Sequence, residues 1–283
     1  MNLSTALVAL DLSPAEEPMT GCLGELLDWG VRKLVLAHVI RVGYVEGAGY
    51  GHEEEHAAWL ERRAAPLREA GFEVAVRIRD SGDPAAELLQ LAREEGAGLV
   101  VIGSRSHSLV HDLFLGSVAR EVIRKASIPV LLERIEPTGE ATEKRCRVVC
   151  RNKLQRVLVV TDLSPAAEAA VEAGAYLAGR SGGADLLAVL PEKELAADTG
   201  LRRKTLEALE RYLARIRDAG GDGRAIVEAG DPAQSIARIA DSAYSLLVVG
   251  KHGRNWIESM VIGSTAMAVS ERARIPVLVV PGR

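Results

Sequence analysis

Short apolar runs alternate along the chain with longer stretches in which apolar residues recur at helical spacing. In the first half the apolar runs predict strands over Ala6–Leu10, Leu34–Val39, Phe72–Ile78, Leu99–Ile102 and Val130–Leu132. The stretches between them predict helices over roughly Glu16–Trp29, His52–Ala70, Pro84–Glu95 and Ser117–Lys125. Strict alternation of strand and helix indicates an α/β fold, with parallel strands joined by right-handed crossovers.

The second half repeats this order of elements. Its strands are predicted over Arg156–Val160, Asp185–Leu190, Arg224–Glu228, Leu246–Val249 and Val277–Val280. Its helices are predicted over roughly Ala166–Ala178, Asp198–Ala219, Pro232–Ser242 and Ser264–Arg272. Each half therefore has the pattern of a complete α/β domain.

Short motifs also occur twice in the same order, which indicates an internal duplication. Asp-Leu-Ser-Pro-Ala stands at 11–15 and 162–166, Gly-Asp-Pro-Ala at 82–85 and 230–233, and Ile-Pro-Val at 128–130 and 275–277. A chain of 283 residues is long enough for two domains with separate cores. We expect domains at 1–135 and 153–283, joined by a charged linker at 136–152 in which the segment 146–150 could form a short strand.

Glycines after the fourth strand of the second half predict a phosphate site. Gly250 and Gly253 follow the strand at 246–249, and Gly263-Ser264 opens a helix. A helix start offers unpaired N–H groups and a positive dipole end, and glycine lets an anion approach them closely. The spacing G-x-x-G-x9-G-S differs from both a Walker A loop and the dinucleotide fingerprint.

The first half contains the same pattern with one glycine replaced. Gly103 and Gly116-Ser117 recur, whereas Ser106 stands at the position of Gly253. Serine is unfavourable there if the position needs a positive φ or a close backbone approach. The first site is therefore expected to be degenerate, and a turn without any ligand remains the alternative in both halves.

Charged residues beside these glycines favour an anionic ligand over a bare turn. Lys251, His252 and Arg254 place three potential cations in one loop, for which a solvated loop is the alternative. Asp11 and Asp162 follow the first strand of each half, where they are either turn residues or ligand contacts. Ligands of open parallel sheets bind at the carboxyl ends of the strands, where the strand order reverses.

Both halves resemble domains of the universal stress protein family, in its ATP-binding subgroup. The resemblance rests on Val-x-x-Asp-Leu-Ser at the first strand, Leu-Ala-His-Val around Ala37-His38-Val39, Gly-Asp-Pro before the third helix, G-x-x-G-x9-G-S, and the Ile-Pro-Val strand. It covers nearly the whole chain except the linker. It implies two tandem doubly wound parallel five-stranded sheets of order 3-2-1-4-5, like those of the adenine-nucleotide alpha-hydrolases.

The resemblance also implies which residues contact a nucleotide. In the second half Asp162 would contact the nucleoside and Leu190, aligned with Val39, the adenine. Gly250, Gly253, Gly263 and Ser264 would hold the phosphates, with Thr265 adjacent. Lys251 and Arg254 are expected contacts because of their charge in the same loop. The counterparts in the first half are Asp11, Val39, Gly103, Gly116, Ser117 and Val118. ATP is the expected ligand, with AMP or ADP as alternatives and Mg²⁺ as an accompanying ion.

The implied function is that of a nucleotide-binding stress or regulatory protein. Slow ATP hydrolysis or phosphoryl transfer stays open, because positioning of phosphates alone can aid it. The alternative is a nucleotide-free interaction module in which the duplicated fold serves dimerisation. The resemblance further implies that the halves pair through their last strands about a pseudo-two-fold axis, with homodimerisation through other surfaces open. If the halves pair in this way, we expect small-angle scattering to show a compact particle.

Composition and isolated motifs exclude several other classes. A net charge of −4 argues against non-specific nucleic-acid binding, and no apolar run is long enough for a membrane span. The start of the chain lacks signal-peptide features, and three cysteines are too few for a disulfide framework, so a cytoplasmic protein is expected.

His52-Glu53-Glu54-Glu55-His56 matches a zinc motif without an evident third ligand. Cys146 and Cys150 are expected to be inert thiols.

Overall fold

A computed structural model describes residues 1–12, 16–41, 53–104, 115–138, 145–148, 152–181, 183–254 and 262–282. The chain forms two compact units, Asn2–Val148 and Val149–Arg283. None of the described helices is long and apolar enough to cross a membrane.

The first unit is a doubly wound parallel sheet. Its strands are β1 (Thr5–Ala9), β2 (Lys33–Arg41), β3 (Glu73–Ser81), β4 (Leu99–Gly103) and β5 (Val130–Glu133). Its helices are α1 (Glu16–Gly21), a 3₁₀ helix (Leu23–Leu27), α2 (Glu53–Glu69), α3 (Pro84–Glu94) and α4 (Ser117–Lys125). The strands are parallel in the order β3-β2-β1-β4-β5, which confirms the predicted fold.

The prediction of a single helix over Glu16–Trp29 is wrong. The segment forms α1 followed by the 3₁₀ helix, with Cys22 between them. Gly21 and Gly24 interrupt the segment, and each glycine disfavours continuous α-helix by about 1 kcal/mol relative to alanine. Loss of this helical propensity explains why the segment divides.

The predicted linker contains more structure than expected. The strands β6 (Ile135–Thr138) and β7 (Arg145–Val148) pair antiparallel, with Ile135 opposite Val148. The short strand expected around Cys146 is thus present, although it begins and ends earlier than 146–150. Cys150 lies outside the described residues.

The second unit repeats the doubly wound sheet. Its strands are β8 (Val157–Val160), β9 (Ala184–Leu190), β10 (Ala225–Ala229), β11 (Leu246–Gly250) and β12 (Val277–Val280), parallel in the order β10-β9-β8-β11-β12. Its helices are α5 (Glu168–Ser181), α6 (Glu192–Ala197), α7 (Leu201–Asp218), α8 (Pro232–Ala243) and α9 (Ser264–Arg272), with a 3₁₀ helix over Pro165–Ala167. The helix predicted from Asp198 instead begins at Leu201, and α6 precedes it.

Buried apolar strands hold each unit together. Every residue of β8 and β12 is buried, as expected for strands covered on both faces. Helix α5 packs closely on β8 because Gly174 has no side chain, since a Cβ there would overlap Val159. Asp83 and Asp231 begin α3 and α8 as N-caps, with their carboxylates accepting hydrogen bonds from backbone N–H groups three residues later.

Candidate nucleotide cleft

The strand order of the second unit reverses between β8 and β11. Val160 lies opposite Val249 in the register of these two strands, so both chains leave the sheet at the same edge. β9 lies on the other side of β8, and β12 lies on the other side of β11. The turn after β8 and the glycine loop after β11 therefore face each other across a crevice.

A cavity of about 240 Å³ occupies this crevice. Its lining includes every predicted contact of the second half except Leu190, namely Asp162, Gly250, Lys251, Gly253, Arg254, Gly263, Ser264 and Thr265. The tertiary fold brings these residues together although they lie up to about a hundred positions apart in the sequence. Residues 255–261, between the two parts of the glycine motif, lie outside the described residues.

Leu190, the expected adenine contact, lies one residue away from the lining of the cavity. Leu190 is buried and does not line the cavity, whereas Val189 and Pro191 do. Ala9 pairs with Ala37 in the first unit and Val160 with Leu187 in the second, so Val39 corresponds to Val189. Because neighbouring side chains of a strand point to opposite faces, a shift of one residue exchanges a cleft position for a core position.

Sequence reasoning also missed several lining residues. These residues are Val160, Thr161, Ala167, Val189, Pro191, Glu194, Pro232, Ile236, Val249 and Ala266. Pro232 at the start of α8 belongs to the repeated Gly-Asp-Pro motif, which offered a signal for that element. Glu194 had no such signal, because no repeated motif includes it.

A strained turn holds the carboxylate of Asp162. Leu163 adopts a φ of 63°, and Leu12 in the first unit adopts 59° at the matching position. The Thr161 Oγ1 accepts a hydrogen bond from the Leu163 N–H at 3.0 Å. Asp162 Oδ1 accepts two, from the Ser164 N–H at 3.0 Å and the Ser164 hydroxyl at 2.6 Å. These bonds offset the cost of about 1–2 kcal/mol for a non-glycine residue in the left-handed region.

Glycine is required at position 253 because the carboxylate of Asp162 approaches its Cα closely, and not because the backbone has an unusual φ. Its φ is not positive, but a Cβ at this position would lie 2.5 Å from Asp162 Oδ2. The next residue, Arg254, donates its backbone N–H to the same oxygen. Serine was expected to be unfavourable at this position because of either a positive φ or a close backbone approach. The structure of the second unit supports the close approach. Ser106 itself lies outside the described residues.

The start of α9 also lines the cleft. Gly263 is the N-cap, with φ −69° and ψ 144°, and it provides no side-chain cap. Its own N–H donates to the Lys251 carbonyl at 2.8 Å. The N–H groups of Ser264 and Thr265 open the helix, where they have no acceptor within it. Together with two hydroxyls and the helix dipole, they can receive an anion.

The described lining of the cleft combines two basic and two acidic side chains, besides His252. Lys251 is 6% exposed, and the Arg254 guanidinium lies 3.1 Å from Glu194 Oε2. Asp162 supplies the second carboxylate. Burial, and to a smaller degree the nearby Lys251, lower the pKa of His252 below 6.5, so its imidazole is neutral at pH 7.

At the described positions, the first unit keeps the same backbone frame with two side chains replaced. Gly116 donates its N–H to the Ser104 carbonyl at 2.9 Å, and the Ser104 N–H donates to the backbone carbonyl of Glu133 at 2.8 Å. Lys251 makes the equivalent backbone bonds with Gly263 and Val280. Ser104 thus replaces Lys251, and Val118 replaces Thr265.

The remaining predicted residues of the first half occupy matching positions. Asp11 follows β1, Val39 lies in β2, Gly103 ends β4, and Ser117 begins α4. Residues 105–114 lie outside the described residues, so the loop between Gly103 and Gly116 adds nothing to this comparison.

The zinc-like motif of the first half falls at the start of α2. His56 contacts the ring of His38 with centroids 4.9 Å apart, and His38 Nδ1 lies 2.8 Å from the Leu10 carbonyl oxygen. His52 lies outside the described residues. Among the residues that the structure does describe, no group of three or more His, Cys, Asp or Glu side chains could hold a metal ion.

Comparison with known proteins connects both units to one family. The model of the universal stress protein family matches residues 3–134 and again 153–281. A universal stress protein of Mycobacterium tuberculosis is 29% identical over 205 residues, which are 69% of this chain and 65% of that protein. The chain thus spans less than two thirds of that relative.

A solved structure shares the fold over the whole chain. A universal stress protein from Archaeoglobus fulgidus aligns over 99% of both chains, with a TM-score of 0.76 and 23% identity. A universal stress protein solved in complex with cAMP covers 46% of this chain and 98% of its own, with 24% identity and a TM-score of 0.38.

Proposed function

Because the chain belongs to the universal stress protein family, we propose that its second unit binds an adenine nucleotide in the cleft between β8 and β11. The observation that supports this most is the uncapped start of α9 opposite the carboxylate of Asp162. A phosphate group at Ser264 and Thr265 would receive backbone N–H groups, hydroxyls and the positive end of the helix dipole. Gly250 and Gly253 line the same cavity.

Other lining residues of the cleft suit a nucleoside. Val189, Pro191 and Ile236 offer an apolar surface for the base. Asp162 lines the same cavity, and its carboxylate can accept a hydrogen bond from a ribose hydroxyl. Apolar residues and anion-binding groups in one cavity match the two chemical parts of a nucleotide.

The proposed ligand is ATP, with ADP and AMP as shorter alternatives. Lys251 and Arg254 provide two positive charges for phosphates. Mg²⁺ enters the proposal as a partner of the phosphates. We propose that nucleotide binding serves a regulatory or stress-related role, and that any hydrolysis of ATP is slow.

The experiment uses the full chain. Protein purified without added nucleotide is denatured, and the released small molecules are identified by mass. The nucleotide-free protein is then titrated calorimetrically with ATP, ADP, AMP and GTP at one salt concentration. We expect an adenine nucleotide to bind and to be preferred over GTP. Folded protein that binds none of the four at millimolar concentration would contradict the proposal and favour a nucleotide-free interaction module.

A further inference from the structure

The Arg254 side chain crosses the cleft of the second unit. Its Nη1 lies 3.1 Å from Glu194 Oε2, and its Nη2 lies 3.4 Å from the Asp162 carbonyl oxygen. Arg254 follows β11, whereas Glu194 belongs to α6, which follows β9. Because β9 and β11 lie on opposite sides of β8, this one side chain connects the two walls of the cleft.

The Arg254–Glu194 pair is exposed enough to exchange partners. The side chains are 53% and 43% exposed, respectively. An ion pair of this exposure changes an equilibrium constant by only about two- to fivefold. A phosphate group is a competing partner for the guanidinium, because it offers bidentate geometry and more negative charge than one carboxylate.

We propose that Glu194 is a specificity-determining residue that competes with ligand phosphate for Arg254. A phosphate that binds the guanidinium would replace Glu194 as its partner. This inference rests on the proposed function, because it assigns a role within the same nucleotide site. Glu194 thereby weakens phosphate-bearing ligands and leaves an uncharged nucleoside almost unaffected.

A double-mutant cycle on the full chain tests the exchange. Glu194→Gln, Arg254→Gln and the double variant are titrated with ATP and with adenosine by calorimetry. We expect Glu194→Gln to strengthen ATP binding about two- to fivefold, because the arginine no longer has to leave a carboxylate. Arg254→Gln is expected to weaken ATP binding about tenfold, through loss of charge-assisted hydrogen bonds.

The double variant distinguishes competition between Glu194 and phosphate for Arg254 from direct repulsion of the ligand by Glu194. If Glu194 acts through Arg254, Glu194→Gln has no effect on ATP affinity once Arg254 is already glutamine. An equal gain in both backgrounds would show that Glu194 merely repels the ligand, and this would overturn the exchange. An equal gain for adenosine would also overturn it, since adenosine offers no phosphate.

Glu192→Gln is the matched control. Glu192 lies in the same helix and undergoes the same change of charge, but it is exposed and does not line the cleft. We expect it to leave ATP affinity unchanged. If the unmodified chain binds no ATP, the proposed function itself fails. If it binds ATP and Glu194→Gln binds with unchanged affinity, only the exchange fails.

Discussion

Replacing Gly253 by alanine should damage ligand binding far more than folding. The new Cβ would lie 2.5 Å from Asp162 Oδ2 and 3.4 Å from Asp162 Cγ. Since ordinary contacts of this kind lie near 3.5 Å, the carboxylate must retreat by about 1 Å. Asp162 then loses the hydrogen bond from the Arg254 N–H and its place beside the cleft.

The two consequences differ in size for a physical reason. The atom that must move is the end of a side chain and not backbone, so we expect a loss of about 1 kcal/mol in the free energy of unfolding. A ligand hydroxyl that relies on Asp162 loses a charge-assisted hydrogen bond of about 1.5–3 kcal/mol. The dissociation constant for ATP should therefore rise roughly 10- to 100-fold.

Calorimetric titration and thermal unfolding of the full chain measure the two effects separately. Gly282→Ala is the matched control, because a Cβ there makes an ordinary contact of 3.4 Å with the Ala166 carbonyl in the same unit. In a chain that already contains Asp162→Ala, Gly253→Ala should have little further effect on ATP affinity. A folded Gly253→Ala protein whose ATP affinity stays within about twofold of the original would refute the reasoning that the ligand depends on Asp162.

Two further predictions concern the start of α9 and the opposite end of the sheet. Gly263→Val should weaken ATP binding by at least about tenfold while leaving the protein folded, because the side chain obstructs the approach of phosphate to the helix start. Gly116→Val, at the matching position of the first unit, should leave the affinity unchanged, and the reverse result would assign the site to the first unit. Burial, together with the hydrogen bond to Asp185, raises the pKa of Tyr244 to about 12 from 10.0. Because the folded pKa lies above the unfolded one, the stabilisation from this phenol is complete below pH 10 and is lost as pH rises towards 12. An ultraviolet phenolate titration should show one late-titrating group fewer in folded Tyr244→Phe protein, and an unchanged number of such groups would contradict the assignment.

Local pattern alone determined most of the fold. Apolar runs such as 246–249 and 277–280 predict strands because both faces of a central parallel strand are covered, and the observed β11 and β12 agree closely. Ser264 was predicted as the start of a helix, and α9 begins there because Gly263 ends the preceding loop. These features depend on residues close together in the chain, which is why a single sequence contains them.

The glycine motif also identified most of the cleft. The duplicated order of motifs and the resemblance that they support indicated the doubly wound topology, which the structure confirms. The topology brings the residue after β8 next to the loop after β11, so the predicted contacts on these two segments meet. Whether they bind a nucleotide, and where the boundaries of the two domains fall, remain predictions.

Only the tertiary structure decided the rest. The choice of Val189 over Leu190 depends on strand register, because an error of one residue turns a side chain to the other face of the sheet. The need for glycine at 253 depends on where the carboxylate of Asp162 lies. Arg254 and Glu194 meet although 60 residues separate them, and no local pattern marks such a pair. Contacts of this kind arise from the packing of distant segments, and this packing is determined by the fold as a whole.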